Sequence, residues 1–177
     1  MTSRISLKVI LAIVATCAAV VALDQISKYM VLVALKDGES VPILAGFFNL
    51  VLVYNKGAAF GLFSGVADGL RQMLLGLTTL VALGLVLYFL LKDYFSDQVA
   101  RIALGLIFGG ALGNIVDRVR IGKVVDFLDF YLGQYHWPAF NVADSAICIG
   151  VLILLLRSGE KKATEKIEIK TIEEPGK

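Results

Sequence analysis

Two aspartates stand at positions that suit acid–base chemistry. Asp126 follows the run 113–125, and Asp144 stands near the start of the apolar run 143–156. An ionisable group at the edge of an apolar segment of a membrane chain is a candidate functional residue, because unpaired charge is costly to bury there. Two carboxyl groups that share one proton can activate water without a metal or a cofactor. The pair therefore predicts a site at which water is activated.

The composition identifies the environment of this pair. The chain has 177 residues, of which 58% are hydrophobic, and its mean hydropathy is +0.79. This apolar content is far above that of soluble domains, so the sequence predicts an integral membrane protein. Since backbone groups in lipid must be paired within their own segment, the spanning segments should be helices. Four segments can cross a hydrocarbon core of about 30 Å, namely 7–23, 70–91, 100–116 and 140–156.

The distribution of basic residues predicts the orientation of the four spans. Basic residues precede the first span, flank the loop 92–101 and follow the last span, which places both termini in the cytoplasm. Those on the cytoplasmic side are Arg4, Lys8, Lys92, Arg101, Arg157, Lys161, Lys162, Lys166 and Lys170, whereas Arg118, Arg120 and Lys123 lie on the opposite side. Residues 1–157 then form one membrane-embedded domain. Residues 158–177 mix lysine and glutamate and are predicted to be a disordered cytoplasmic tail.

This topology brings polar residues from distant parts of the chain to one face of the membrane. The first span leaves the membrane at Asp24, the third leaves it near 114–118, Asp126 follows in an outer turn, and the fourth span begins again just before Asp144. Charges also cap helix ends at a membrane interface, and that alternative accounts well for residues such as Lys36. It accounts less well for a polar cluster within or beside apolar segments, which is Asp24, Asn114, Asp117, Arg118, Asn141 and Asp144.

The segments predicted on the outer side differ from the spans in amino-acid composition. Residues 47–54 are rich in aromatic and β-branched side chains and precede the turn signal 55–57, which predicts a small hairpin or sheet at the outer surface. Residues 129–137 form a second aromatic segment, predicted as an outer loop suited to lipid headgroups. His136 stands alone in the sequence and is predicted to mark the membrane interface beside Trp137, so no metal site is predicted.

Five blocks of sequence, in order along the chain, are similar to the signature blocks of one enzyme family. They are DQISK at 24–28, NKGAAF at 55–60, GGALGNIVDR at 109–118, VVDF at 124–127 and FNVADS at 140–145. The chain resembles lipoprotein signal peptidase, also called signal peptidase II, from the first span through the fourth. Only the tail lies outside the resemblance.

The resemblance implies an aspartic endopeptidase of the bacterial inner membrane. Such an enzyme removes the signal peptide from prolipoproteins whose cysteine carries diacylglycerol, cutting immediately before that cysteine on the periplasmic side. It implies that Asp126 and Asp144 are the catalytic pair. The chain is further predicted to act as a monomer without a cofactor or a metal, with lipidated prolipoproteins and membrane lipid as partners and no nucleic acid.

Other block residues have predicted supporting roles. Asn114 and Arg118 share a helical face at a spacing of four, so Arg118 could neutralise an oxyanion or hold a loop. Asn114 and Asn141 could orient the catalytic carboxyl groups. By resemblance, the residues that shape the site or bind substrate also include Asp24, Lys28, Asn55, Gly57 and Asp117. Glycines at 105, 109, 110 and 113 form a small-residue stripe that predicts close helix packing, with a groove for a substrate helix as the alternative.

Two other classes of protein remain possible from the residues alone. A small ion-coupled transporter or proton relay also carries intramembrane carboxylates, but the chain shows no inverted repeat, and its acidic residues lie at one end of the spans rather than at the midplane. A noncatalytic assembly factor would need no carboxyl pair. The first span could also be misread as a cleaved signal, but its polar end at 24–28 argues against removal.

Overall fold

The computed structural model describes residues 7–57 and 97–173 and, outside these ranges, only the helical positions Leu70, Leu74, Leu77 and Gly84. The predicted second span, 70–91, therefore lies outside the described residues apart from those positions. Within the two long ranges the helices are α1 (Leu7–Ala34), α2 (Gln98–Ile121) and α3 (Val142–Glu173). The strands in the same ranges are β1 (Ser40–Leu44), β2 (Phe48–Asn55), β3 (Val124–Leu132) and β4 (Tyr135–His136).

Helix α1 extends well beyond the predicted first span at 7–23. Its segment Val9–Ala34 is long and apolar enough to cross a membrane, as is Gln98–Ile121 in α2. The helix continues past Asp24 because the polar residues of this part face inward, while Ile26 and Met30 keep an apolar outer face, each being about 60% exposed (58% and 64%). The helix therefore does not end at Asp24.

Helix α2 has well-defined ends. Asp97 caps its first turn by accepting hydrogen bonds from the N–H groups of Val99 (2.8 Å) and Ala100 (3.4 Å). Gly122 ends the helix in the left-handed region with φ 70°, a conformation that glycine adopts without strain. The N-cap carboxylate also accepts from Nε and Nη2 of Arg157, each at 2.7 Å, which ties the start of α2 to α3.

Glycines let α2 approach α1 and α3 closely. A Cβ atom at Gly109 would lie 2.6 Å from Cβ of Val20 in α1, and a Cβ atom at Gly110 would collide with the carbonyl of Ala143 in α3. A Cβ atom at Gly113 would lie 2.6 Å from Oδ2 of Asp24. The prediction that the small-residue stripe packs against other helices is therefore confirmed.

The four strands form one antiparallel sheet in the order β1-β2-β3-β4. A small outer sheet was predicted, but its details differ from the prediction. A hairpin turn lies between β1 and β2, where Gly46 has φ 83°, whereas the residues that follow the predicted turn at 55–57 lie outside the described part of the chain. Residues 124–132 form β3, whereas the sequence placed Asp126 in a turn and 129–137 in a loop. The reason is that β3 pairs with β2 from far along the chain, and a local pattern does not show such pairing.

A small hydrophobic cluster joins the sheet to α1. Val31 of α1 and Leu35, just past the end of that helix, pack against Leu52 of β2 and against Val125 and Phe127 of β3, and all five are buried. This packing fixes β3, and hence Asp126, beside the end of α1.

Helix α3 continues through the charged segment that follows the predicted fourth span. Its backbone is helical to Glu173, whereas the sequence predicted disorder after residue 157. The difference has a local reason, because residues 160–173 contain neither glycine nor proline and are rich in lysine and glutamate, which favour helix.

Candidate active site

Asn141 and Asp144 form a reciprocal cap at the start of α3. Oδ1 of Asn141 accepts a hydrogen bond from the N–H of Asp144 at 3.0 Å, and Oδ2 of Asp144 accepts from the N–H of Asn141 at 3.3 Å. This is the arrangement of a capping box, in which two unpaired helical N–H groups are satisfied at once. It fixes the position of the Asp144 carboxyl relative to the helix.

Asp126 faces this cap from β3. Its Oδ1 accepts a hydrogen bond from Nδ2 of Asn141 at 2.7 Å, and its Oδ2 accepts from Nδ2 of Asn55 at 2.9 Å. Only 2% of Asp126 is exposed. Asn141 therefore contacts both carboxyl groups, one through its side chain and the other through its backbone, and links β3 to α3.

Asn114 of α2 holds Asp144 from the other side. Its Nδ2 donates to Oδ1 of Asp144 at 2.7 Å. Its Oδ1 accepts from Nζ of Lys28 at 3.1 Å and from Nδ2 of Asn141 at 3.2 Å. Because the amide oxygen faces an ammonium, the amide nitrogen must face the carboxyl group.

A buried charged layer lies behind the two asparagines. Nζ of Lys28 lies 2.8 Å from Oδ2 of Asp24 and 2.8 Å from Oδ2 of Asp117. Together with Asn114 these acceptors use the three donors of the ammonium. The three charged residues are no more than 5% exposed, so each charge depends on the others for compensation.

The two carboxylates of this layer also hold the backbone beside the candidate pair. Oδ1 of Asp24 accepts from the N–H of Ala143 at 2.9 Å, and Oδ2 of Asp117 accepts from the N–H of Val125 at 3.1 Å. Ala143 directly precedes Asp144, and Val125 directly precedes Asp126. The layer therefore anchors both chain segments that carry the candidate catalytic groups.

Arg118 supplies a cation near the candidate pair. Its guanidinium is half-buried and donates from Nη1 to the carbonyl of Asn114, one helical turn back, at 3.4 Å. It interacts electrostatically with Asp144, Asp126 and Asp117. A guanidinium carries five N–H donors, so this contact leaves others to bind a further group.

Burial raises the pKa of Asp126 to about 6. The hydrogen bonds from Asn55 and Asn141 favour the charged carboxylate and lower the pKa, whereas the nearby charge of Asp144 raises it further. Desolvation is the largest of these effects, so Asp126 holds a proton at pH values where an ordinary aspartate has lost it.

The structure brings together the predicted site residues from the helices and the sheet. Gly57 is more peripheral than the others. Its N–H donates to Oδ1 of Asn55 at 2.7 Å, and its own φ is 83°, so Gly57 shapes the turn that positions Asn55. Within the described ranges, no group of three or more histidine, cysteine or acidic residues is placed to hold a metal ion.

Two contacts escaped the sequence analysis. Gln25, inside the first block but given no role there, donates from Nε2 to both Asp24 and Asp117. His136 does not stand alone, because its Nδ1 lies 2.9 Å from Oδ1 of the buried Asp129. The position of Gln25 within the polar segment 24–28 could have indicated its role from the sequence. The contact of His136 with Asp129 depends on the β3–β4 hairpin, which the sequence pattern does not show.

Comparison with known proteins identifies the family. A family model described as signal peptidase (SPase) II matches residues 16–159. The chain belongs to the signal peptidase II family. It is 46% identical over 147 residues to lipoprotein signal peptidase from Syntrophus aciditrophicus, covering 83% of this chain and 91% of the relative. It is 51% identical over 148 residues to lipoprotein signal peptidase from Syntrophotalea carbinolica, covering 83% of this chain and 89% of the relative.

Solved structures agree with this family assignment. A bacterial membrane enzyme determined at 2.3 Å resolution matches with a TM-score of 0.73 and 34% identity, covering 86% of this chain and 90% of the other. A second bacterial membrane enzyme, at 1.9 Å, matches with a TM-score of 0.71 and 35% identity, covering 82% and 90%. The family and the fold together identify this protein as a membrane peptidase.

Proposed function

We propose that this protein is an aspartic endopeptidase that cleaves the signal peptide from diacylglyceryl-modified prolipoproteins, immediately before the lipidated cysteine. The observation that carries the proposal is the joint attachment of Asp126 and Asp144 to Asn141, at distances of 2.7 Å and 3.3 Å. Relatives named lipoprotein signal peptidase support the substrate class.

In the proposed mechanism the two carboxyl groups share one proton. The charged carboxylate removes a proton from water as the water oxygen attacks the scissile carbonyl carbon. The protonated carboxyl group donates its proton to the carbonyl oxygen. Collapse of the tetrahedral intermediate breaks the C–N bond while the leaving nitrogen receives a proton from the pair. The pKa of about 6 at Asp126 supports one retained proton, and any apparent pKa belongs to the pair.

The side chains around the two aspartates have supporting roles in this mechanism. Arg118 stabilises the negative charge that develops on the carbonyl oxygen before the carboxyl group has transferred its proton, for which its half-buried guanidinium and its electrostatic interaction with both aspartates are suited. Asn55, Asn114 and Asn141 hold the carboxyl groups in place through their side-chain amides. The outer aromatic segments hold the substrate while its acyl chains stay in the bilayer.

The proposed location is the bacterial inner membrane, crossed four times by the domain 1–157. Helices α2 and α3 contain the third and fourth spans, and both termini, with the tail 158–177, lie in the cytoplasm. The site then opens to the periplasmic side. The chain acts as a monomer, with prolipoproteins and membrane lipid as its partners and no nucleic acid.

A reporter that is active only in the cytoplasm tests this topology. Fused after Leu156, it should be active, and fused near Gly65 it should be inactive, because the basic residues at both ends remain inside. Reporter activity at each fusion point is the measurement. The reverse pattern would put the carboxyl pair in the cytoplasm and contradict the proposed function.

Cleavage should be independent of metal ions. The proposed chemistry uses carboxyl groups alone, whereas a catalytic zinc site needs three protein ligands around an open position. Purified protein assayed on a lipidated prolipoprotein should keep its rate after treatment with a strong chelator. A rate that falls with chelator and returns with a divalent ion would overturn the aspartic mechanism.

Asn55→Leu should shift the basic limb of the pH profile to higher pH. The Asn55 amide favours the charged form of Asp126 and so lowers its pKa. Without that hydrogen bond the pair keeps its proton to higher pH, and kcat/KM should fall later as pH rises. The matched control is Asn49→Leu, because Asn49 of the same strand donates to Asp129 instead, at 2.9 Å. A shift of equal size in both variants would count against the assignment.

Direct assay separates the proposed function from the two alternatives. Purified protein incubated with a diacylglyceryl-modified prolipoprotein peptide should release the signal peptide, with a new amino terminus at the lipidated cysteine. A proton-coupled transporter or a noncatalytic assembly factor would leave the peptide intact. The same peptide without the lipid should be cleaved far more slowly.

A further inference from the structure

We propose that Gln25 is a positioning residue that sets the separation of Asp126 and Asp144. This inference rests on the proposed function, in which those two carboxyl groups act as a pair. Gln25 touches neither of them, and it acts through the buried layer that anchors the chain beside each one.

The side chain of Gln25 joins the two carboxylates of that layer. Its Nε2 lies 3.0 Å from Oδ1 of Asp117 and 3.2 Å from Oδ2 of Asp24, and it also lies 3.2 Å from the carbonyl of Gly113. Asp24 belongs to α1 and Asp117 to α2. The amide therefore ties two helices together through their carboxylates.

Each of these carboxylates holds the residue before one member of the pair. Asp24 accepts from the N–H of Ala143, and Asp117 accepts from the N–H of Val125. A change in the distance between Asp24 and Asp117 must therefore move the start of α3 relative to β3. The catalytic carboxyl groups, one residue further along each segment, would move with them.

Lys28 supplies one positive charge for the two anchoring carboxylates, Asp24 and Asp117. Its ammonium neutralises one negative charge, and its donors are directed at Asp24, Asp117 and Asn114. Two carboxylates around one ammonium still repel each other. The neutral amide of Gln25 donates to both without adding charge, and it occupies Oδ1 of Asp117, an oxygen that Lys28 does not bind.

Arg120 determines which end of the amide faces the layer. Its Nη1 lies 3.4 Å from Oε1 of Gln25, on the exposed side. The amide oxygen is thus turned towards a cation, and the nitrogen is turned towards the two carboxylates. A glutamate at this position would place a third carboxylate against the other two, although its shape would be nearly unchanged.

The test compares Gln25→Glu and Gln25→Leu with the unmodified full chain, reconstituted in lipid and assayed on a diacylglyceryl-modified prolipoprotein peptide. We expect kcat to fall about 10- to 100-fold, as it does when reacting groups are displaced by a fraction of an ångström to 1 Å. KM should change less than kcat, because Gln25 lies behind the site. The two limbs of the pH profile should also change their separation, since coupling between two carboxyl groups depends on their distance.

A charge exchange distinguishes positioning from general stability. In Gln25→Glu combined with Asp117→Asn, Oδ1 of the new asparagine can accept from Lys28 and Val125 while its Nδ2 donates to the new glutamate. This double variant should recover kcat relative to Gln25→Glu alone. Ser27→Ala is the matched control on α1, because among the described residues its hydroxyl donates within the helix, to the carbonyl of Asp24 at 2.9 Å. The kcat and the pH profile of this variant should not change.

The outcomes are separable. If the unmodified protein does not cleave the peptide, the proposed function fails, and this inference fails with it. If it cleaves, and the Gln25 variants keep its kcat and pH profile, the inference alone is wrong. A loss of rate that matches the loss of folded protein in thermal unfolding, with an unchanged pH profile and no recovery in the double variant, would also overturn it.

Discussion

Asp126→Asn and Asp144→Asn should each reduce kcat by several orders of magnitude. Either change keeps the shape of the side chain but removes the shared proton and the base, and general acid–base catalysis alone contributes about 10²- to 10⁴-fold. When two groups act as a unit, removing the second adds little. The double variant should therefore be scarcely slower than either single variant. The measurement is the turnover of a lipidated prolipoprotein peptide by purified protein, with binding of the same peptide measured separately and expected to survive.

Asp129→Asn is the matched control for the pair. Asp129 is another buried aspartate of β3, 7% exposed, and its contacts run to Asn49 and His136 rather than to Asn141. The variant should keep most of the activity. Near-normal cleavage by folded, membrane-inserted Asp126→Asn or Asp144→Asn would remove the catalytic pair from the mechanism.

The members of the site could be found from the sequence because polar residues are conspicuous in apolar segments. Asp24 and Lys28 interrupt α1, and Asn114 and Asp117 interrupt α2. Burying such groups is unfavourable unless they are paired, so their presence predicts partners. The structure supplies those partners within one hydrogen-bonded network.

The sheet could be predicted only in outline. The strand β2 was expected from its aromatic and β-branched residues, but the partner of Asn55 lies 71 residues further along the chain, at Asp126. Periodicity describes neighbours in sequence and not pairing at that distance. For the same reason, a turn was predicted where β3 carries Asp126, and the contact between His136 and Asp129 was missed.

Helix ends were the other source of difference. The sequence predicts that the first span ends before Asp24, because a charge normally marks the membrane edge, whereas the helix itself runs on to Ala34. A single sequence shows that Asp24 is charged but not that Lys28 neutralises it inside the protein. Both the helix end and the depth of the charged layer depend on that pairing.

Lys28→Met should lower the free energy of unfolding by about 3–5 kcal/mol, the effect expected when one partner of a buried ion pair is removed. Methionine retains the length of the aliphatic stem but has no ammonium. Asp24 is 0% exposed and Asp117 is 5% exposed, so their carboxylates would face each other in the interior without a cation between them. Activity should fall as well, because these carboxylates hold the N–H groups of Ala143 and Val125. The measurement is denaturant unfolding of the purified protein in detergent micelles.

Lys36→Met provides the matched control for this experiment. The same substitution is made just past the end of α1, where Lys36 is exposed, and surface changes of this kind alter stability by no more than about 0.5 kcal/mol. Adding Asp117→Asn to Lys28→Met should recover part of the lost stability, since it removes one of the two uncompensated charges. If Lys28→Met unfolded at the same denaturant concentration as Lys36→Met, the ammonium would not be what holds the buried carboxylates, and the anchoring of both catalytic segments would need another cause.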